Sequence, residues 1–132
     1  MRQRAGLARR IIGGAVLLAI LNVAPVLAQD AGARGYSSFP FGQCTWYASQ
    51  MRPDLAGAVW GNAGNWTNAA RASGHATGYA PRAHAVAVFQ AGVAGAWGSG
   101  HVAYVTAVGK NGWFQVSEMD FPRWGRVTSR WV

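Results

Sequence analysis

The sequence has 132 residues, 51% of them hydrophobic, with 18 Gly and 7 Trp; it is too apolar and aromatic for a disordered or collagenous chain and is sized for one small globular domain. Twelve Lys and Arg against four Asp and Glu give a formal charge of +8, which points to an anionic partner without choosing among nucleic acid, acidic lipid and cell-wall polymer. The single cysteine excludes an intramolecular disulfide framework, and with three histidines it makes a thin ligand set for a closed zinc site.

In chain order, Arg2, Arg4, Arg9 and Arg10 precede an apolar run from Ile11 to Ala28 that ends in Val26-Leu27-Ala28. Small residues at that point are what a signal peptidase cuts after, so residues 1–28 are expected to be a secretory signal. An uncleaved anchor is the other reading of a run of about 18 residues, although Asn22 and Pro25 weaken it. The Arg9-Arg10 pair matches a twin-arginine signal only loosely. Without these four arginines the positive excess falls to about +4, and the remaining ones, such as Arg34, Arg71 and Arg123, are spread along the chain. That dispersion argues against a nucleic-acid partner and limits any membrane role to the export signal.

Residues 29–38, rich in Gly, Ser and Ala, read as a linker, with structure starting at Phe39-Pro40-Phe41 and a domain spanning 39–132. From Cys44 to Met51 there is neither Gly nor Pro, and Trp46, Tyr47 and Met51 fall at one-turn spacings, which predicts a short helix ending before Pro53. A second helix is predicted from Trp66 to Ser73, capped by Asn65 and stopped by Gly74. Thereafter the period changes. Ala85–Phe89, His101–Val108 and Trp113–Glu118 are β-branched and aromatic runs separated by glycine-rich segments, and Asn111-Gly112 is a hairpin signal. Helices followed by antiparallel strands make an α+β domain, with short N-terminal helices packed on the sheet.

A free cysteine in an exported protein is either buried or used. Phe41-Gly42-Gln43-Cys44 places this one where a glycine turn enters a helix, and the positive end of the helix dipole favours the thiolate. Cys44 is therefore a candidate nucleophile, with Gln43 and the Cys44 backbone N–H as candidate oxyanion donors. His101 opens a strand after Gly98-Ser99-Gly100 and is the candidate base. A four-residue loop Gly109–Gly112 pairs Val108 with Trp113, setting Glu118 opposite Ala103 and Asp120 opposite His101, all on one face. A two-residue loop would move Glu118 opposite Val105, beyond direct reach of His101. The longer loop is the expectation, with Glu118 orienting the imidazole and Asp120 auxiliary.

Gly42-Gln43-Cys44-Thr45-Trp46-Tyr47, Trp60-Gly61-Asn62-Ala63-Gly64-Asn65-Trp66, Ala85-Val86-Ala87-Val88-Phe89, Gly100-His101-Val102-Ala103-Tyr104-Val105 and Ser117-Glu118-Met119-Asp120 together resemble the CHAP family, the cysteine, histidine-dependent amidohydrolases/peptidases. The resemblance runs from about Phe39 to the C-terminus. It implies a papain-like fold and cleavage of an amide bond in bacterial peptidoglycan, by a muramoyl-alanine amidase or an endopeptidase of the peptide stem or cross-bridge. It also implies Cys44 as nucleophile, His101 as base and Glu118 as orienting acid. The chain departs from the family at His84, where Gly is usual, and at Asp120, where Asn is usual.

Some family members bind calcium through acids preceding the cysteine, but Ala31 to Gln43 contains none, so no calcium is expected. His75 and His84, without a third ligand outside the triad, read as surface residues, and no metal or other cofactor is expected. Trp60, Trp66 and Trp97, flanked by Gly and Asn, are candidates to line a groove for muropeptide or sugar rings. The reading is an exported, monomeric peptidoglycan hydrolase of the periplasm, cell wall or extracellular space. The alternative from another class is a catalytically silent wall-binding module on the same fold.

Overall fold

The computed structural model describes residues 36–132. The expected signal at 1–28 and most of the linker lie outside those residues. Ser37 is tied to the domain, its Oγ lying 2.7 Å from Ser49 Oγ. The Ser38 amide then donates to the Ala56 carbonyl at 3.0 Å, ahead of the core residue Phe39.

Helix α1 spans Cys44–Met51, as its composition predicts. Its residues Thr45, Ala48 and Ser49 are buried at the i, i+3, i+4 spacing of a helix face. The Arg52 amide closes the last turn on Ala48, and Pro53 opens a short 3-10 turn instead of continuing the helix. Helix α2 spans Trp66–Ala72. Asn65 does not cap it. A cap residue must be extended to turn its side chain onto the first amides, whereas Asn65 has φ −85° and ψ −11° as the last residue of a preceding 3-10 turn, Ala63–Asn65. The C-terminal end closes as expected around Gly74, with its amide on Arg71 O and the His75 amide on Ala70 O, a Schellman arrangement.

Four strands follow, β1 Val86–Phe89, β2 His101–Val108, β3 Phe114–Met119 and β4 Val127–Trp131, forming an antiparallel meander in the order β1-β2-β3-β4. β4 has no counterpart among the sequence predictions. Successive residues of β2 face opposite sides. Val102 joins Phe39, Ala48, Leu55, Ala63 and Trp66 beneath the helices, while Ala103 and Val105 join Phe89, Ala96 and Val116 on the other side. Trp66 is 1% exposed in the first of these clusters, where truncation of a large aromatic costs about 3–5 kcal/mol.

The β2–β3 connection is one residue longer than predicted. Val108 pairs with Phe114, so residues 109–113 form the loop. Asn111 and Gly112 sit at its tip with φ of 58° and 82°. An odd loop would by itself rotate Glu118 to the face away from His101. A β-bulge at Thr106, where the register steps between Val105 and Ala107, supplies one compensating residue. Beyond it Tyr104 pairs with Ser117, and that register continued sets Glu118 opposite Ala103, the expected placement reached by a different route.

Candidate active site

Two glycines bring the site's elements together. Gly42, with φ of 95°, turns the chain into α1, and a Cβ there would lie 2.3 Å from the Trp124 ring. Gly100, with φ of 77°, precedes His101, and a Cβ there would lie 2.6 Å from the Gly64 amide nitrogen. The chain before β2 therefore presses against the segment leading into α2, with the Gly64 amide donating to Ser99 O at 2.9 Å.

Cys44 is the first residue of α1 and is half-buried. The first intrahelical bond is the Tyr47 amide to Gln43 O at 3.2 Å, which leaves the Cys44 amide without a helical acceptor. His101 opens β2 almost fully buried, at 2% exposure, stacked on Phe89 with ring centroids 6.3 Å apart and tilted against Phe121 at 5.6 Å. Its Nε2 lies 2.7 Å from Glu118 Oε2. That bond occupies Nε2 and leaves Nδ1 as the ring nitrogen available to Cys44, which lines the same cleft. Burial pushes the imidazole pKa down, but hydrogen bonds to Cys44 and Glu118, with the charges of both, outweigh it and lift the group from 6.5 to about 9.

Glu118 is 0% exposed. Desolvation pushes its carboxyl upward, and the bonds from His101 and Arg130 overcome this to hold it below 4.5. Arg130, on β4, went unnoticed in the sequence: its Nε donates to Glu118 Oε1 at 2.7 Å and its Nη2 to Oε2 at 3.4 Å. The β-branched Val127 and Thr128 with Trp131 are the signal in the sequence for a strand there, and Arg130 pairs with Val116 and faces the side Glu118 faces.

Cys44 and His101 open onto a cleft of about 440 Å³ whose lining also includes Gln43, Asn62, Trp97 and Asp120. Asp120 does not pair with His101 across the sheet. β3 ends at Met119, and Asp120 turns away in a left-handed conformation with φ of 63°. Burial pushes its carboxyl above the ordinary 3.8, opposed by the charge of His101. A left-handed residue is one that Asn adopts as readily as Asp, which accounts for either at this position.

Of the three tryptophans expected in a groove, Trp97 lines the cleft and is 69% exposed. Trp66 does not, because it is the buried aromatic of the core. Trp60 packs on that core, edge-on to Trp66 at 5.3 Å and to His75 at 5.4 Å, and does not line the cleft. His75 is accordingly half-covered. His84 is exposed, with Nδ1 2.7 Å from the Tyr104 hydroxyl. Its φ of 68° explains why glycine suits this position. Among the described residues no group of three or more His, Cys, Asp or Glu is placed to hold a metal ion.

The arrangement pairs a thiol at a helix start with a buried imidazole, itself bonded to a buried carboxylate, which is the constellation of a cysteine nucleophile with an oriented base. Residues 34–120 match the CHAP domain family model. The chain is 40% identical over 101 residues to the staphylococcal secretory antigen SsaA of Staphylococcus aureus, covering 76% of this chain and 38% of that protein. It is 41% identical over 103 residues to the staphylococcal secretory antigen ssaA2 of the same species, covering 74% and 37%. In the crystal structure of an N-acetylmuramoyl-L-alanine amidase from Staphylococcus aureus, a region 33% identical superposes with a TM-score of 0.67, covering 76% of this chain and 30% of that one. The chain thus spans less than two fifths of the length of the curated relatives it matches. A few short helices on a four-stranded antiparallel sheet is the papain-like arrangement expected from the sequence. The chain belongs to the CHAP domain family.

Proposed function

We propose that this protein is an exported peptidoglycan hydrolase that cleaves an amide bond through a cysteine nucleophile and an acyl-enzyme. The observation that carries the reading is that Cys44 and His101 line one cleft while His101 is bonded from behind to the buried Glu118. The Cys44 thiol gives its proton to His101 as Sγ attacks the scissile carbonyl, and the oxyanion is received by the Cys44 amide and the Gln43 side chain. His101 Nδ1 passes its proton to the leaving amine as the C–N bond breaks, leaving a thioester on Cys44. Water then attacks the thioester with His101 as base, releasing the acid and restoring the thiol. Glu118 holds the ring so that Nδ1 faces the sulfur and balances the imidazolium charge, and Trp97 forms one wall for the substrate.

The bond is the muramoyl–alanine amide or a peptide bond of the stem or cross-bridge, and the family resemblance together with the amidase likeness supports this substrate class. Residues 1–28 act as the export signal and 29–38 as a linker to the domain at 39–132, which works as a monomer without a cofactor. The deciding experiment is digestion of purified peptidoglycan with the native protein and with Cys44→Ala, followed by mass spectrometry of the released fragments. New amino and carboxyl ends in the native digest alone support the reading and identify the bond. Equal digestion by both proteins overturns it.

A further inference from the structure

Arg130 makes three contacts with one guanidinium. Besides its bonds to Glu118, its Nη1 donates to the Ala94 carbonyl at 2.7 Å, and its central carbon lies 3.8 Å from the centroid of the Phe121 ring. Ala94 belongs to the short turn Val93–Gly95, where it takes a left-handed φ of 50°, and this turn leads into the cleft residue Trp97. Phe121 in turn packs on His101 and lies 3.0 Å from where a Cβ on Gly95 would sit. One side chain from the last strand thus holds the orienting acid, the turn that carries a cleft wall and the ring that covers the base.

We propose that Arg130 is a positioning residue of the active site, a fourth member that keeps Glu118 ionised and aimed at His101 while tying the Trp97 wall to the same point. The proposal rests on the reading of Cys44, His101 and Glu118 given above. A carboxylate at 0% exposure is costly unless its charge is compensated and its oxygens are bonded. His101 supplies one bond, to Oε2; the short bond to Oε1 comes from Arg130. The charged groups facing Glu118 are His101 from β2 and Arg130 from β4. Cys44 on α1 and Asp120 beyond β3 reach it only through His101. An arginine at this place does two things a lysine cannot do together: its fork binds the carboxylate while a third nitrogen reaches the Ala94 carbonyl.

The test follows the carboxyl signal of Glu118 and the imidazole signals of His101 by NMR across pH in the native protein, Arg130→Met and Arg130→Lys, alongside kcat and KM on peptidoglycan fragments. Alkylation of Cys44 by iodoacetamide is followed in parallel. With Arg130→Met, removal of an adjacent cation moves the Glu118 titration and the acid limb of alkylation upward by about one to three pH units. Arg130→Lys keeps the charge and restores both limbs, yet raises KM because the Ala94 tether is lost. Should Arg130→Met fold poorly, the double variant Arg130→Met with Glu118→Gln, which leaves no unpaired buried charge, recovers the fold while staying as slow as Glu118→Gln alone. Unchanged Glu118 titration and alkylation limbs in Arg130→Met, or an Arg130→Met defect fully additive with Glu118→Gln, would overturn the proposal. The NMR and alkylation readouts need no substrate, so failure of the hydrolase reading, seen as wall digestion by Cys44→Ala, stays distinguishable from failure of the role of Arg130.

Discussion

His101 and Glu118 meet along a diagonal of the sheet: the 2.7 Å bond joins a residue of β2 to the residue of β3 opposite its second neighbour, Ala103. The directly opposite position belongs to Asp120, which has left the strand. Glu118→Gln should therefore lower kcat by roughly a hundredfold or more with little change in KM, since the lost charge matters most when the imidazole is protonated. Asp120→Asn should remain within a few-fold of the native rate. Steady-state kinetics on both variants checks the pair, and a severe Asp120→Asn defect beside a near-normal Glu118→Gln reverses the assignment.

Cys44 sits half-buried at the start of α1, so Cys44→Ala removes one sulfur and little packing. Thermal unfolding should shift by no more than a few degrees, while release of soluble wall fragments falls to background. Full loss of folding in Cys44→Ala would show that the sulfur is chiefly a core atom.

The pH dependence has a definite sign on each side. His101 is raised to about 9 in the fold, so its stabilising contribution is complete below the unfolded value near 6.5 and is lost as pH rises through about 9. Glu118 is lowered, so its contribution is present above 4.5 and is lost as pH falls below that value. Urea midpoints should peak between these limits and decline on both sides. In Glu118→Gln the acid-side decline should weaken, and the alkaline decline should move down with the His101 pKa.

Gly100→Ala should be among the most disruptive single-methyl changes in the molecule. The left-handed φ costs about 1–3 kcal/mol, and the added carbon meets the Gly64 backbone, which cannot rotate away. His101 follows directly, so alkylation of Cys44 should slow even under conditions where the variant is folded. A fully active Gly100→Ala would mean that the approach of these two segments does not position the base.

Chelation gives a simpler check. EDTA should leave activity unchanged, because the described residues place no three His, Cys, Asp or Glu side chains together. Loss of activity restored by added metal would expose ligands outside them.

Both helices, the first three strands and the candidate residues Cys44, His101 and Glu118 were legible because each carries a local signal. A glycine turn before a thiol, a Gly-His strand opening and the parity of a β-strand are properties of a few neighbouring residues. Arg130 was not legible, since its role depends on β4 folding beside β3 after the Phe121–Gly125 turn, a contact set by the sheet and not by the residues around it. The groove is illegible for a related reason. Trp60, Trp66 and Trp97 all stand near glycines, yet only the tertiary arrangement decides that Trp66 becomes core and Trp97 faces the cleft. Asn65 has an ordinary capping side chain, and the preceding 3-10 turn took it out of the geometry in which it would cap.

The bulge at Thr106 makes the register of the hairpin a matter of even and odd. A slip of one residue in the pairing of β2 with β3 would turn every side chain of β3 over and exchange Glu118 for a neighbour, and the bulge is what lets a five-residue loop coexist with the face that Glu118 needs. Residues added at the Asn111-Gly112 tip lengthen the loop without changing the pairs beyond Thr106, so activity in a set of tip-length variants should follow the register of β3 and not the length of the tip.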